Sequence, residues 1–346
     1  MINLLKPTLK GLKMLYYNPY TDEIAQTKSS NFILIGIPDE EPSSINTAFK
    51  NGVQFAWDST SIGLFKTCPR KYELTIIKGY VPRIMPPPLA FGIHLHTLLQ
   101  TWHKLVESNL DRHTALMRVT KLAGLLGETL PSGDTARTKQ TLVRTIVWYL
   151  EQFWDDKAVT VKLTNNQPAV EYHFWLPFMS YMNHEIFLCG HIDRIVQWQL
   201  ATYACDYKTT KYSLDGKFFS RFKPSTQMSL YTLATHLKTP EIHNIASAHG
   251  VIIDGIQLGV NFSRFARQVV TFSLEEINEY IESLKYWITQ AINASVNKFF
   301  AANEESCGQY GGCPFREICS MPPARREAYL KGNFKIQMWN PVNRRN

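Results

Sequence analysis

Asp193 lies in Gly190-His191-Ile192-Asp193-Arg194-Ile195, and Asp206 and Lys208 lie in Cys205-Asp206-Tyr207-Lys208-Thr209-Thr210, two strand-like segments separated by a short turn. If these strands pair through the turn near Gln199 and Leu200, the two carboxylates come close at one end of a sheet and repel unless a cation lies between them. Magnesium and manganese favour oxygen ligands and retain several waters, so a carboxylate pair with an open side suits a phosphate substrate. The ion would acidify a bound water, polarise a phosphodiester and assist the departing oxygen. Lys208, two residues after Asp206, shares its face and could orient that water or steady developing charge. A plain reading stands beside this one: an exposed Asp206–Lys208 pair, with Asp193 paired to Arg194, since most charged side chains are simply solvated.

The surrounding pattern supplies elements to carry these residues. Pro86-Pro87-Pro88 breaks the chain before Leu89–Ser108, whose apolar residues recur at helical spacing, and Ala115–Leu126 and Thr141–Phe153 repeat that pattern. Ala169–Leu176, Glu185–Leu188, His191–Trp198 and Ala201–Tyr207 read as strands. Pro224 is suited to the first turn of a helix continuing over Thr226–Leu237, with Gln227 and Tyr231 on one face. Strands return at Ile245–Ile253, Gln257–Phe262 and Gln268–Phe272, and Ser273 with Glu276 caps a long helix from Leu274 to about Phe300. This order predicts an α/β fold, a mixed sheet with helices on its faces.

Cys307, Cys313 and Cys319 are separated by five residues each, and Cys68 lies far upstream in Thr67-Cys68-Pro69-Arg70-Lys71. Six cysteines are too few for a secreted disulfide scaffold, so metal ligation is the stronger reading. Four thiolates suit a [4Fe–4S] cluster or zinc. Cys189 and Cys205 read as small buried apolar residues.

Taken in order, Gly92-x-x-x-His96, Gly190-x-x-Asp193, Asp206-x-Lys208 and Gln227-x-x-x-Tyr231 resemble the PD-(D/E)XK nuclease superfamily. The likeness is to its RecB-type exonuclease branch, which includes CRISPR adaptation nucleases with iron–sulfur clusters and the nuclease domains of AddAB helicase–nucleases. It runs from about Ser59 to Cys319. The resemblance implies a restriction-endonuclease-like core with a helical insertion and an iron–sulfur staple. By it, His96, Asp193, Asp206 and the carbonyl of Tyr207 would bind Mg2+ or Mn2+, Lys208 would be the catalytic lysine, and Gln227 and Tyr231 would lie near the active site and the DNA. Glu171 matches a less defined acidic position. One cysteine before the core and three after it favours iron–sulfur over zinc, although Cys307-x5-Cys313 is wider than the usual family spacing. Without that context His96 reads as an ordinary helix histidine, like its neighbours His94 and His103.

The division expected from the resemblance is a segment 1–54 of unknown role, an iron–sulfur region at 55–90 and 301–325, a nuclease core at 91–300 with a helical part at about 97–165, and a tail at 326–346. With 346 residues, 45% of them hydrophobic, the chain can fill a core, and its net charge of +8 suits a polyanion. Arg70-Lys71, Arg221-Phe222-Lys223 and Arg264-Phe265-Ala266-Arg267 combine basic groups with aromatics, as phosphate contacts and base stacking require, although each also reads as solvated surface charge. No run reaches the ~20 apolar residues that cross a bilayer, and no signal-like start is present, so a cytoplasmic location is expected. No phosphate-loop motif for ATP occurs. The expected activity is exonucleolytic cleavage of DNA, on single strands or ends, in recombination, repair or phage DNA metabolism, with recombination or replication proteins as partners. A non-catalytic DNA-binding or assembly subunit and a structure-specific endonuclease stand as alternatives.

Overall fold

The computed structural model describes residues 15–26, 29–35, 48–238 and 248–341. Its main sheet has seven strands: β1 (Ala56–Trp57), β2 (Val159–Thr160), β3 (Val170–Tyr181), β4 (His184–Trp198), β5 (Ala201–Thr210), β6 (Ala248–Leu258) and β7 (Ser263–Thr271). They run in the order β7-β6-β5-β4-β1, with β2 and β3 also paired to β4. The β5–β6 and β4–β1 pairings are parallel and the rest antiparallel, so the sheet is mixed as expected.

Helices α1 (Ser59–Thr67), α2 (Pro87–Glu107), α3 (Arg112–Gly127), α4 (Lys139–Gln152), α5 (Thr226–Leu237) and α6 (Leu274–Val296) cover this sheet in two layers. On one face Leu95, Leu98 and Leu99 of α2 pack with Leu122 of α3, Ile146 of α4, and Tyr207, Ile256 and Leu258 of the sheet. On the other, Trp57, Phe174 and Ile253 pack with Ile62 of α1, Ala234 of α5 and Ile288 of α6. Every residue from Gly250 to Leu258 of β6 is buried, as a strand covered on both faces must be. The parallel step from β5 to β6 needs a crossover, and α5 lies between these two strands in the chain.

Several boundaries differ from expectation. Glu185–Leu188 and His191–Trp198 are one strand, β4, which runs through Gly190 because the Phe174 ring occupies the space a side chain would need, 2.9 Å from an ideal Cβ. Ile245–Ile253 and Gln257–Leu258 are likewise one strand, β6, whose predicted first residues 245–247 fall outside the described ones, while the rest of the expected strand Gln257–Phe262 is the turn into β7. Gly255 continues it because Leu214, Phe218 and Phe219 press onto its bare backbone. Pro224 precedes α5, whose cap is Ser225. The Ser273–Glu276 capping box of α6 forms, and the helix ends at Val296.

The described segments before and after the main sheet are tied into the fold. Lys121 of α3 bonds Asp22, and buried Gln54 accepts from the Tyr72 hydroxyl at 2.9 Å. At the other end Phe334–Ile336 pairs antiparallel with Tyr80–Pro82, and Trp339 Nε1 points to Asp58. Among the described residues no helix is long and apolar enough to cross a membrane.

Candidate active site

The β4–β5 hairpin sets the geometry. Trp198 faces Ala201 across Gln199 and Leu200, whose φ values of 49° and 65° build the tight two-residue turn. Pairing continues to Arg194 and Cys205, and the next step sets Asp193 opposite Asp206. There the ladder opens, and side chains take over the backbone groups of Tyr207. Its N–H donates to Asp193 Oδ2 at 3.2 Å, and its carbonyl faces His96 Nε2 at 3.0 Å. His96 Nδ1 lies 3.0 Å from Asp193 Oδ1. Both ring nitrogens thus face oxygen atoms, one on the hairpin backbone and one on Asp193.

Lys208 Nζ sits 2.7 Å from Asp206 Oδ2 and donates to Gln227 Oε1 at 2.8 Å. Gln227 Nε2 in turn donates to the Tyr231 hydroxyl at 3.0 Å, so the one-turn spacing on α5 orients the amide. The carboxylates are buried, 4% exposed at Asp193 and 2% at Asp206, whereas His96 and Lys208 keep a quarter of their side chains in solvent. The site is therefore open at the histidine and lysine side. Burial pushes the Asp206 carboxyl up against the pull of Lys208, and the Asp193 charge adds to the rise. Despite its short approach to Lys208, Asp206 Oδ2 has no aligned hydrogen bond. That oxygen, the facing carboxylate and the Tyr207 carbonyl are hard donors suited to a divalent cation. As the side chains stand, paired with His96 and Lys208, no three His, Cys, Asp or Glu groups among the described residues form a ready cage.

Arg194 does not pair with Asp193, as the plain reading had it; it points through the sheet to Asp156 and His103. This begins a network unforeseen from sequence. Arg194 donates to His103 Nδ1 at 3.1 Å, which leaves His103 Nε2–H to donate to the Tyr207 hydroxyl at 3.0 Å. Burial and the Arg194 charge hold His103 well below the usual histidine range. Asp156 accepts from Arg194 and Arg267, Arg267 also clasps Asp254, and Asp254 accepts from the Tyr149 hydroxyl at 2.6 Å. Tyr149 closes the ring edge-on against Tyr207. The missed signal was strand parity: with a period of two, Arg194 opposes Asp193 in direction and Arg267 opposes Arg264.

Arg267 thus spends its guanidinium on carboxylates inside the protein, which removes the physical basis for reading it as a DNA contact. Arg264 and Arg221 are exposed, Lys223 bonds Glu276, and Arg70 and Lys71 are half-buried beside Cys68. Glu171, with a φ of 53°, follows the Tyr172–Ile192 pair and so stands across from Asp193; it lines a cleft of about 600 Å³ with Lys104 and Glu107.

The cysteine segments are laced together. Cys68 Sγ accepts the Asn303 N–H at 3.4 Å, Asn303 Nδ2 bonds the Thr67 carbonyl, and Arg70 N–H bonds the Ala301 carbonyl. Cys307 Sγ is 4.0 Å from the Asn303 carbonyl, so Cys68 and Cys307 meet the same residue. Cys313 N–H bonds the Cys307 carbonyl; burial pushes the Cys313 thiol up, Lys71 opposes the rise, and Cys307 and Cys319 add to it. All six cysteines are free, and Cys189 and Cys205 are buried as expected.

A family model described as PD-(D/E)XK nuclease superfamily matches residues 58–320, well over half of the chain. Among solved structures, the crystal structure of SSO0001 is similar over 68% of this chain and 93% of that one, at 11% identity and a TM-score of 0.27, too loose a likeness to carry an argument. No curated protein matches the chain.

Proposed function

Because the chain belongs to the PD-(D/E)XK nuclease superfamily, in which phosphodiester hydrolysis of nucleic acid by divalent metal is the rule, we propose that it is a DNA exonuclease acting on single strands or ends. The observation that carries the reading is the buried Asp193–Asp206 pair, opposed across the hairpin and joined by Lys208. Two carboxylates this close are costly in a protein that has no cation to receive. Asp193, Asp206, the Tyr207 carbonyl and His96 would hold Mg2+ or Mn2+. When bound, the ion would supply an acidified water and charge to polarise the phosphate. Lys208, held by Gln227, would aim its ammonium at the attacking water or the developing charge, and Tyr231 would fix the Gln227 amide. The preference for ends rests on the resemblance to the RecB-type branch.

We propose further that Cys68, Cys307, Cys313 and Cys319 hold a [4Fe–4S] cluster, supported by the hydrogen bonds that bring residues 67–70 against residues 301–303. It would join segments more than two hundred residues apart and so remove loop entropy from the unfolded chain. Anaerobically purified protein should be brown and contain iron and sulfide in equal amounts; stoichiometric zinc in place of iron would overturn this assignment.

The activity is tested by nucleotide release from end-labelled single- and double-stranded DNA with magnesium, manganese or chelator, alongside Asp206→Ala. Release that needs metal and vanishes in the variant is expected. Binding without release would establish an assembly subunit instead, and cuts confined to internal positions an endonuclease.

A further inference from the structure

Past Lys208, the face of the sheet that carries Asp206 is buried at Thr210 and Gln257 under Leu214, Phe218 and Phe219, and exposed aromatic and cationic groups lie around this cover. Thr210, two residues beyond Lys208, pairs with Gln257, which pairs with Arg264 of β7. Ser263 and Phe265 turn toward α4, meeting Thr145 and Tyr149, so alternation sends Arg264 and Ala266 to the opposite face, where Ala266 joins the core that contains Tyr231. From strand spacing and rise, Arg264 stands about 12 Å from Lys208, measured between backbone positions in the sheet. That is about three or four nucleotides at the 3.4 Å repeat of a stacked strand.

Arg264 lies over the Phe262 ring, 4.9 Å from its centroid, and Arg221 lies over Phe218 and Phe222 at 4.2 and 5.1 Å. Both arginines are exposed, and among the described residues neither has a carboxylate partner, unlike Lys211 with Asp134, Lys223 with Glu276 and Arg267 with Asp254. Tyr212, next to Lys211 at the end of β5, is 80% exposed. The hairpin tip bearing Phe262 is held rigid from behind: Arg144 donates to the carbonyls of Gly259, Val260 and Phe262, and Thr145 bonds Ser263 at 2.8 Å. Rings held in place, exposed to solvent and backed by uncompensated guanidiniums suit a partner with both flat apolar faces and negative charge. An unpaired nucleic-acid strand has both; a duplex hides its base faces.

Resting on the nuclease reading, we propose that Tyr212, Arg221 and the Phe262–Arg264 pair form a track that binds a single strand three to four nucleotides from the Asp193–Asp206 site. Bases stack on Tyr212 and Phe262, and phosphates meet the two guanidiniums. The track recognises no particular sequence, because every base offers a π-face.

The test is fluorescence anisotropy of labelled dT12 with the full-length protein in chelator, which separates binding from cleavage. Tyr212→Ala and Phe262→Ala should each weaken binding about ten-fold, while Tyr212→Phe keeps it. Arg221→Gln and Arg264→Gln should each flatten the logarithmic salt dependence by about one unit. These positions are on the surface, and unchanged thermal melting would confirm intact folding. Wild-type affinity in Tyr212→Ala and Phe262→Ala together with a wild-type salt slope in Arg221→Gln and Arg264→Gln, or no dT12 binding by the wild type, would overturn the track. Metal-dependent cleavage of dT12 by the wild type, read separately, distinguishes failure of the track from failure of the nuclease reading.

Discussion

On one face of β5, Asp206 and Lys208 sit with Asp193 and His96; behind the same strand, the Tyr207 phenol sits in a ring made by His103, Arg194, Asp156, Arg267, Asp254 and Tyr149. The two regions use similar side chains to opposite ends. The ring balances two carboxylates with two guanidiniums, and apart from Arg194 Nε its nitrogens are hydrogen-bonded. Of its acids, Asp156 is held down at about 2 by Arg267 against the cost of burial. The candidate catalytic face leaves Asp206 Oδ2 without an aligned bond and its carboxyl pushed up. Buried charge must be compensated, so an incompletely compensated site next to a complete one fits the metal-binding role proposed for it.

The sharpest way to break this comparison is to remove one acid from each side. Asp206→Asn should reduce cleavage at least a thousand-fold, since every step there depends on the carboxylate, yet should not lower the melting temperature. The sign follows from the raised carboxyl: above the usual carboxylate range the folded state carries a charge it resists, so neutralising it relieves the fold. Arg267→Ala should do the reverse, costing about 3–5 kcal/mol of stability because Asp254 and Asp156 lose their shared cation. Urea unfolding and cleavage rates on the same samples would decide. A large stability loss in Asp206→Asn, or none in Arg267→Ala, would erase the distinction between the regions.

The open side was legible in the sequence and the closed side was not, for a physical reason. Asp193, Asp206 and Lys208 are linked by local rules, namely strand alternation and a hairpin turn, and Gln227 and Tyr231 by one helical turn. The ring draws residues from α2, α4, the segment after α4 and four strands, and only tertiary packing makes them neighbours. Arg194 therefore read as a partner for Asp193, and Arg267 read as part of a basic aromatic surface with Arg264. Strand boundaries at Gly190 and Gly255 failed similarly: glycine suggests a break locally, whereas here it makes room for Phe174 and for Leu214, Phe218 and Phe219. The strands within 48–57 and at Phe334–Ile336 are not visible in the sequence because two- and three-residue strands carry too little periodicity to show.

The closed groups of α2 also resist protons, and acid titration would sharpen the contrast. Burial lowers His94 to about 4, with its Nε2 against Thr129 Oγ1. Because its folded value lies below the ordinary 6.5, the unfolded chain takes up a proton that the folded chain refuses between these limits. Stability is thus complete above pH 6.5 and falls by about 3 kcal/mol as the pH drops to 4. His94→Gln should flatten that part of the urea-midpoint profile; an unchanged slope would show that other groups carry it.

Tyr207 joins the two regions and offers the smallest but most selective probe. Its phenol accepts from His103 in the ring, while its backbone N–H and carbonyl meet Asp193 and His96 on the open face. Tyr207→Phe keeps the ring packing but deletes the acceptor for His103 Nε2–H, which should cost about 1–2 kcal/mol in unfolding. If the ring also positions the Tyr207 carbonyl, Mn2+ affinity measured by calorimetry should fall a few-fold without nucleic acid present, and excess metal should restore most of the cleavage rate. Lost stability with unchanged Mn2+ affinity would confine the ring to folding and leave the open face to organise itself.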